Sequence, residues 1–392
     1  MKSNYKQLGQ FIRQVDVRNA AGKEENLLGV SVQKTFIPSI ANTVGTDFTK
    51  YKVVRRGQFT YIPDTSRRGD KIGIALLSDY EEGLVSNVYT TFEVIDKNEL
   101  LPEYLMLWFS RPEFDRYARF KSHGSVREVM DWDEMCKVQL PVPPISVQRD
   151  IVKAYQTITN RIALKRQVND NLEQQAVALF KSWFVDFSLF GGTVPENWED
   201  TTLENITTLI TRGIAPKYSD NSDQTVVNQK CIRNHTIDLS LARTHTPKAI
   251  NEKWLKFGDL LINSTGDGTL GRVAQVWFAP KALTVDSHVT IVRPAREELI
   301  FYIGLWGILH EKEIESLHTG STGQTELPRD RVKMLKLLLP DNISLSRFNS
   351  IIAPMASTII LNQEENQKLA SLRDTLLPKL MSGEIDVSSI QL

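Results

Sequence analysis

Apolar and polar positions over residues 151–183 follow alternating steps of four and three. The series runs through Ile151, Tyr155, Ile158, Ile162, Lys165, Asn169, Leu172, Ala176, Leu179 and Trp183. This is the heptad seam of a long helix, and no glycine interrupts residues 144–190. The seam returns 197 residues later, from Phe348, Ile352 and Met355 through Ile359, Asn362, Asn366, Leu369, Arg373 and Leu376 to Leu380. Two seams in one register bury each other most economically as an antiparallel pair. Asn169 and Asn366 hold the same seam position, where a buried polar residue fixes register at some cost in stability; a solvated pair is the alternative. Pro354 predicts that the second helix bends or properly starts there.

Outside the seams the period shortens. The segments "YKVVRRGQFTYI", "IGIALL", "VYTTFEVI", "RVAQVWF" and "HVTIVRP" set β-branched and aromatic residues between glycine, proline and asparagine, which reads as strands. Short helices are predicted at "PEYLMLWFSRPEFDRYARF" and "FYIGLWGILHEKEIES".

These strand-rich parts are also written twice. Gly57 answers Gly258, Tyr104 and Trp108 answer Tyr302 and Trp306, and Pro143 answers Pro340, with offsets of 197 to 201 residues. The constant order carries the inference more than any single match. The chain therefore reads as α+β, with two strand-rich domains separated by a long antiparallel two-helix coiled coil, a pseudo-twofold internal repeat. The boundaries fall at 1–142, 143–190, 191–340 and 341–392.

The stretch "LINSTGDGTLGRVAQV" contains G-x-G-x-x-G, the dinucleotide fingerprint, with Asp286 about where a ribose-binding acid belongs. That fingerprint needs a strand before it and a helix after it. Here "RVAQVWFAPKALTVDSHVTIV" follows, which reads as strand, turn, strand. The stretch is a hairpin, either purely structural or with its tip shaped for a ligand. Ser264, Thr265, Asp267, Thr269 and Arg272 crowd that tip with groups suited to phosphates and base edges. No Walker loop, H-E-x-x-H or G-x-S-x-G is present, and Asp286, Ser287 and His288 are strand neighbours that cannot form a triad alone.

Composition narrows the function classes. The 392 residues are 41% hydrophobic and 24% charged, ordinary for a globular protein. Cys136 and Cys231 match no metal spacing and read as reduced cysteines of a cytoplasmic protein. No signal core or membrane span is apparent. Basic and acidic side chains number 47 each; residues 1–142 hold 20 and 19, and residues 191–342 hold 17 and 19. Such neutrality is a poor footprint for an independent nucleic-acid binder. A nucleic-acid surface here is a local patch, or a partner supplies the charge.

The whole pattern resembles the specificity (S) subunit of Type I restriction–modification enzymes. The resemblance covers nearly the whole chain and rests on "QLPVPPISVQRDIV" (139–152), "ALFKSWFVDF" (178–187), "LRDTLLPKLMSGEIDV" (372–387) and "GDLLINSTGDGTLGRVAQV". The second junction, "LLLPDNISLSRFNSII", departs from it by lacking the Pro-Pro and Gln-Arg pairs. The resemblance implies a non-catalytic chain. Each strand-rich half would be a target-recognition domain for one half of a bipartite, asymmetric sequence in double-stranded DNA. The helix pair would set the unread spacing: roughly 36 residues at about 1.5 Å are about 54 Å, or roughly 16 base pairs at about 3.4 Å. Two modification subunits would bind S-adenosylmethionine and methylate adenine. A restriction/motor subunit would use ATP and Mg, and this chain would hold no cofactor or metal.

Candidate DNA-binding residues in the first half are Lys34, Thr35 and Phe36, then Arg55, Arg56, Tyr61, Arg67 and Arg68, then Ser125 and Arg127. In the second half they are Arg212, Lys217 and Tyr218, beside the hairpin-tip residues Ser264, Thr265, Asp267, Thr269 and Arg272. Arginine pairs bidentately with guanine, while lysine and hydroxyls mostly position phosphates. Trp183, Phe184 and Phe187 read as helix packing, with subunit contact the alternative. Rival readings are a structural adaptor with two protein-binding domains on a coiled-coil spacer, and a stand-alone nucleic-acid enzyme. Sequence-selective DNA binding by the assembled complex separates the first, and a catalytic motif would mark the second.

Overall fold

The first long helix extends beyond its seam to Ile145–Phe184, and the second spans Asn342–Ser382. A computed structural model of the chain describes residues 5–40, 43–65, 71–122, 128–266, 268–320 and 325–385. The second helix runs through Pro354 without interruption and starts twelve residues before it. Its start is set by Asp341, whose Oδ1 accepts from the amides of Ile343 (2.8 Å) and Ser344 (3.0 Å). That cap satisfies donors every helix leaves open. The first helix starts differently: Gln148, fully buried, accepts from Leu101 N and donates to the carbonyls of Glu99 and Pro143. The Gln-Arg pair absent from the second junction thus includes a domain-to-helix fastener.

The chain divides into two compact units, Met1–Ala163 with Gln367–Leu392, and Leu164–Asn366. These cuts pass through both helices rather than between helix and domain, because each unit's core includes a stretch of each helix. In the first unit, strands Ile12–Val15, Thr90–Val94, Phe59–Tyr61 and Ile74–Leu76 form an antiparallel sheet in that order. Phe59 stacks on Phe92 with ring centres 4.8 Å apart, and Phe109 of helix Pro102–Phe109 meets Phe59 edge-on. Ile151 and Ala154 of the first helix and Leu377, Leu380 and Met381 of the second belong to the same buried cluster. A second helix, Pro112–Lys121, follows at once, so the single predicted segment divides at the Pro112 start signal.

The second unit repeats this arrangement. Strands Thr207–Arg212, Val289–Pro294, Leu260–Asn263 and Val273–Gln275 form an antiparallel sheet in the equivalent order. The repeat reaches individual hydrogen bonds. The Gly57 amide donates to Leu77 O and the Gly258 amide to Val276 O, both at 2.8 Å. Both glycines have positive φ, +83° and +88°, where a side chain is strained. Tyr104 OH donates to Pro141 O, and Tyr302 OH to Leu338 O.

Within the second unit the long helices run antiparallel. Lys165 Nζ donates to Asn362 Oδ1 (2.8 Å), Asn362 Nδ2 to Asn169 Oδ1 (2.8 Å), and Asn169 Nδ2 to Ile359 O (3.3 Å). Lys165 also pairs with Glu365. The seam asparagine is therefore bonded across the helix pair, with Asn362 as its side-chain partner. Phe180, Trp183 and Phe184 close on Phe348. Such aromatic pairs contribute about 0.5–1.5 kcal/mol each beyond area burial, and here they pack the unit's core, with Phe187 partly buried against it.

Candidate nucleic-acid interface

The glycine-rich stretch is a hairpin. Leu260 pairs with Gln275 and Ile262 with Val273, and no helix follows. This removes the dinucleotide reading, since no helix N-terminus faces the turn.

The turn is roofed by a residue far away in sequence. A Cβ on Gly266 would lie 2.7 Å from Gln229 Oε1, so glycine is what lets that carboxamide close over the turn. Thr265 Oγ1 donates to Gln229 Oε1 (3.3 Å) and lies 2.7 Å from His288 Nδ1. Asn263 Nδ2 donates to Gln229 O from below. Thr269 Oγ1 bonds back to the carbonyls of Thr265 and Gly266, and Arg272 Nη2 donates to Gly268 O at 2.7 Å. Gln229 and Arg272 remain half-buried and His288 is exposed. The result is a hydrogen-bonded tip carrying an amide, an imidazole, hydroxyls and a guanidinium, the group types that recognise base edges and phosphates. Asp267 lies outside the described residues.

Other candidates of this unit divide. Lys217 is exposed at the surface, and Tyr218 carries the Arg243 guanidinium 3.7 Å over its ring. Burial pushes the Tyr218 hydroxyl's pKa up, so it stays a neutral donor. One residue needs correction. Ser264 is fully buried, with Oγ 2.6 Å from Thr290 Oγ1, because its backbone sits where the strand enters the core. Arg212 is half-buried and is held by the exposed Glu326 (2.6 Å) and by Leu327 O (2.9 Å).

In the first unit, Arg55 and Arg56 are exposed, and Arg56 pairs with Glu81 at 2.9 Å. Thr35 is exposed, with Oγ1 3.0 Å from Ser31 Oγ. Three candidates there are scaffold instead. Tyr61 is completely buried, because it follows Phe59 by two residues on one strand and shares its core face. Lys34 turns inward to Asp115, which also accepts from Ile72 N, and burial lowers the Lys34 pKa. Phe36 packs between two small apolar clusters. Arg67, Arg68, Ser125 and Arg127 lie outside the described residues.

Gln229 and Arg243 went unnoticed in the sequence, and His288 was weighed only as part of a triad. Gln229 lies 36 residues from Thr265, a separation with no local pattern to reveal it. Both cysteines are free, with pKa values raised by burial. Among the described residues no group of acidic, histidine and cysteine side chains could hold a metal ion, and no helix is long and apolar enough to cross a membrane.

Comparison with known proteins agrees with this architecture. Residues 19–174 match the Type I restriction modification DNA specificity domain. The Type I restriction enzyme MjaIX specificity subunit of Methanocaldococcus jannaschii is 25% identical over 323 residues, 76% of this chain and 72% of that protein. The HindI specificity subunit of Haemophilus influenzae is 21% identical, covering 85% of this chain and 88% of the relative. The crystal structure of the S subunit of a Type I restriction–modification system from M. genitalium shares the fold, with a TM-score of 0.57 at 14% identity and coverage of 96% of this chain and 95% of that one. With its duplicated strand-rich fold and paired long helices, the chain is similar to the specificity subunits of Type I restriction–modification enzymes.

Proposed function

We propose that the chain reads a bipartite, asymmetric DNA sequence, one half-site per strand-rich domain, and so directs adenine methylation and restriction by its partners. The observation that carries this reading is the duplication itself. Two sheets of one strand order, each with the same glycine turn, give two equivalent platforms whose loops differ in sequence. Different loops on equal platforms suit two unlike half-sites.

In the second domain the reading residues are Gln229, Thr265, Thr269, Arg272 and His288, with Lys217 and Tyr218 on phosphates. In the first domain Thr35, Arg55 and Arg56 take these roles, together with Arg67, Arg68, Ser125 and Arg127. Two modification subunits hold S-adenosylmethionine, a restriction/motor subunit uses ATP and Mg, and the chain itself holds no cofactor. The net charge of zero fits partners that supply much of the phosphate contact.

Genome-wide mapping of methylated adenines in cells with and without the chain tests the reading. A bipartite motif present only with the chain is the expected result; its absence overturns the proposal. Gln229→Ala should cost about 1–3 kcal/mol and relax one base of one half-site. Lys217→Ala should weaken all sequences alike and lower the salt slope of binding by about one.

A further inference from the structure

One charged contact in the second unit joins the reading tip to the long helix. Strands Ile232–Arg233 and Thr236–Ile237 form a short hairpin whose two turn residues, Asn234 and His235, both have positive φ, 49° and 57°. This is the tight turn that asparagine tolerates and that fixes the direction of the next side chain. The hairpin's base is anchored in the core: Cys231 and Ile232 are fully buried, and Gln229 belongs to the turn immediately before it. At its tip, His235 Nδ1 lies 2.6 Å from Glu173 Oε1 on the first long helix. Nε2 lies 3.1 Å from Glu311 Oε2, at the start of helix Glu311–Ser316.

Ionised carboxylates only accept hydrogen bonds. Both ring nitrogens must therefore donate, and the ring is an imidazolium between two anions. We propose that His235 is a positioning residue for the second half-site: it clamps the hairpin that directly follows the Gln229 turn to the first long helix and to helix Glu311–Ser316. The inference rests on the DNA-reading role proposed above and adds to it the part that holds the reading tip in register with the helix.

The surroundings support a clamp. Asp170, Glu173 and Lys181 of the helix, Arg233 of the hairpin, Arg272 of the glycine turn and Glu311 of the short helix line one pocket with His235. From the second long helix, the uncharged Ile359 and Gln363 line a pocket together with His235. Hydrogen bonds from the His235 ring to Glu173 and Glu311 raise the His235 pKa to about 9. A raised folded value means the clamp is fully present below the unfolded histidine value and is lost as pH rises through about 9. The clamp has no counterpart built from the repeat, since the position 197 residues beyond Glu173 is Ala370, which offers no side-chain acceptor. The first half-site is therefore an internal control.

The test uses the assembled modification complex with wild-type chain, His235→Ala and His235→Arg. Methylation mapping gives the motif, and duplexes mismatched in one half-site or the other give discrimination. His235→Ala should lose about tenfold discrimination in the second half-site only. His235→Arg, which keeps two donors and the charge, should restore most of it. Wild-type discrimination in that half-site should fall above pH 9 while the arginine variant holds. Unchanged discrimination in His235→Ala, or equal loss in both half-sites, overturns the proposal. Hydrogen exchange of the 229–237 amides is the readout independent of DNA. Protection should drop in His235→Ala and in wild type above pH 9, and unchanged protection refutes the clamp. If wild type yields no bipartite motif while protection behaves as expected, the DNA-reading role fails and the clamp stands.

Discussion

Gln58 and Asp259 occupy the same point of the duplicated fold and are wired differently. Both follow the positive-φ glycine, and both accept a turn amide, Gln58 from Arg55 N and Asp259 from Lys256 N, each at 2.8 Å. Beyond that the chemistry parts. Gln58 donates to Glu93, which pairs with the exposed Arg13. Asp259, fully buried, takes a two-pronged pair from Arg293, at 2.8 Å from Nε and 2.7 Å from Nη2. Glu93 and Arg293 hold equivalent places on equivalent strands, and Leu209 stands opposite Arg293 where Arg13 stands opposite Glu93. The carboxylate has changed sides. Backbone geometry is what the two halves share, while the charges that satisfy it are interchangeable as long as each is paired.

The sharpest way to break this comparison is to remove one partner on each side. Arg293→Ala leaves the Asp259 carboxylate buried and unpaired, which should cost about 3–5 kcal/mol. Glu93→Ala leaves the neutral, buried Gln58 amide without that acceptor and should cost about 1–3 kcal/mol. Urea unfolding of both variants measures the difference, and equal losses would mean the two wirings are energetically alike. The triple change Asp259→Gln, Arg293→Glu and Leu209→Arg transplants the first wiring into the second unit. It should recover at least half of the Arg293→Ala loss.

A smaller effect separates the two glycines. Either Gly→Ala change meets the left-handed backbone penalty of about 1–2 kcal/mol. A Cβ at Gly57 would meet only the Lys97 Nζ at 3.3 Å, the mobile end of a side chain, whereas one at Gly258 would lie 2.7 Å from Ile300 Cγ1. Gly258→Ala should therefore be the more damaging by about 1 kcal/mol or more, read as the difference in unfolding midpoint.

The smallest effect concerns the helix starts. Asp341→Ala should cost about 1 kcal/mol as a lost cap. Burial opposes ionisation of Asp341, but hydrogen bonds from Ser344, Trp198 and Ile343 outweigh it and bring the pKa to about 2. A lowered folded value gives stability that is present above the ordinary aspartate value and is lost as pH falls toward 2. The first helix, fastened by the neutral Gln148, has no such acid-dependent term from that residue, so acid titration of Gln148→Ala and Asp341→Ala should separate the two starts.

Legibility of the candidate site followed sequence separation. The hairpin at 260–275 was readable because alternation and turn residues are local signals. Gln229 over Gly266 was not, because nothing in a linear pattern says which loop a carboxamide will cover. Lys34, Tyr61 and Ser264 looked like surface chemistry in a polar neighbourhood, and packing took all three inward.

By itself the sequence determined the heptad seams, the doubled order of strands and helices, and the register of one half on the other. Those follow from period and spacing, which the chain carries locally and writes twice. Only the tertiary structure decided that Asn169 bonds to Asn362, that Arg293 neutralises Asp259 and that His235 bridges two glutamates. Each of these joins groups 34 to 193 residues apart, and whether a polar side chain is buried, and beside which partner, is fixed by packing against the rest of the fold.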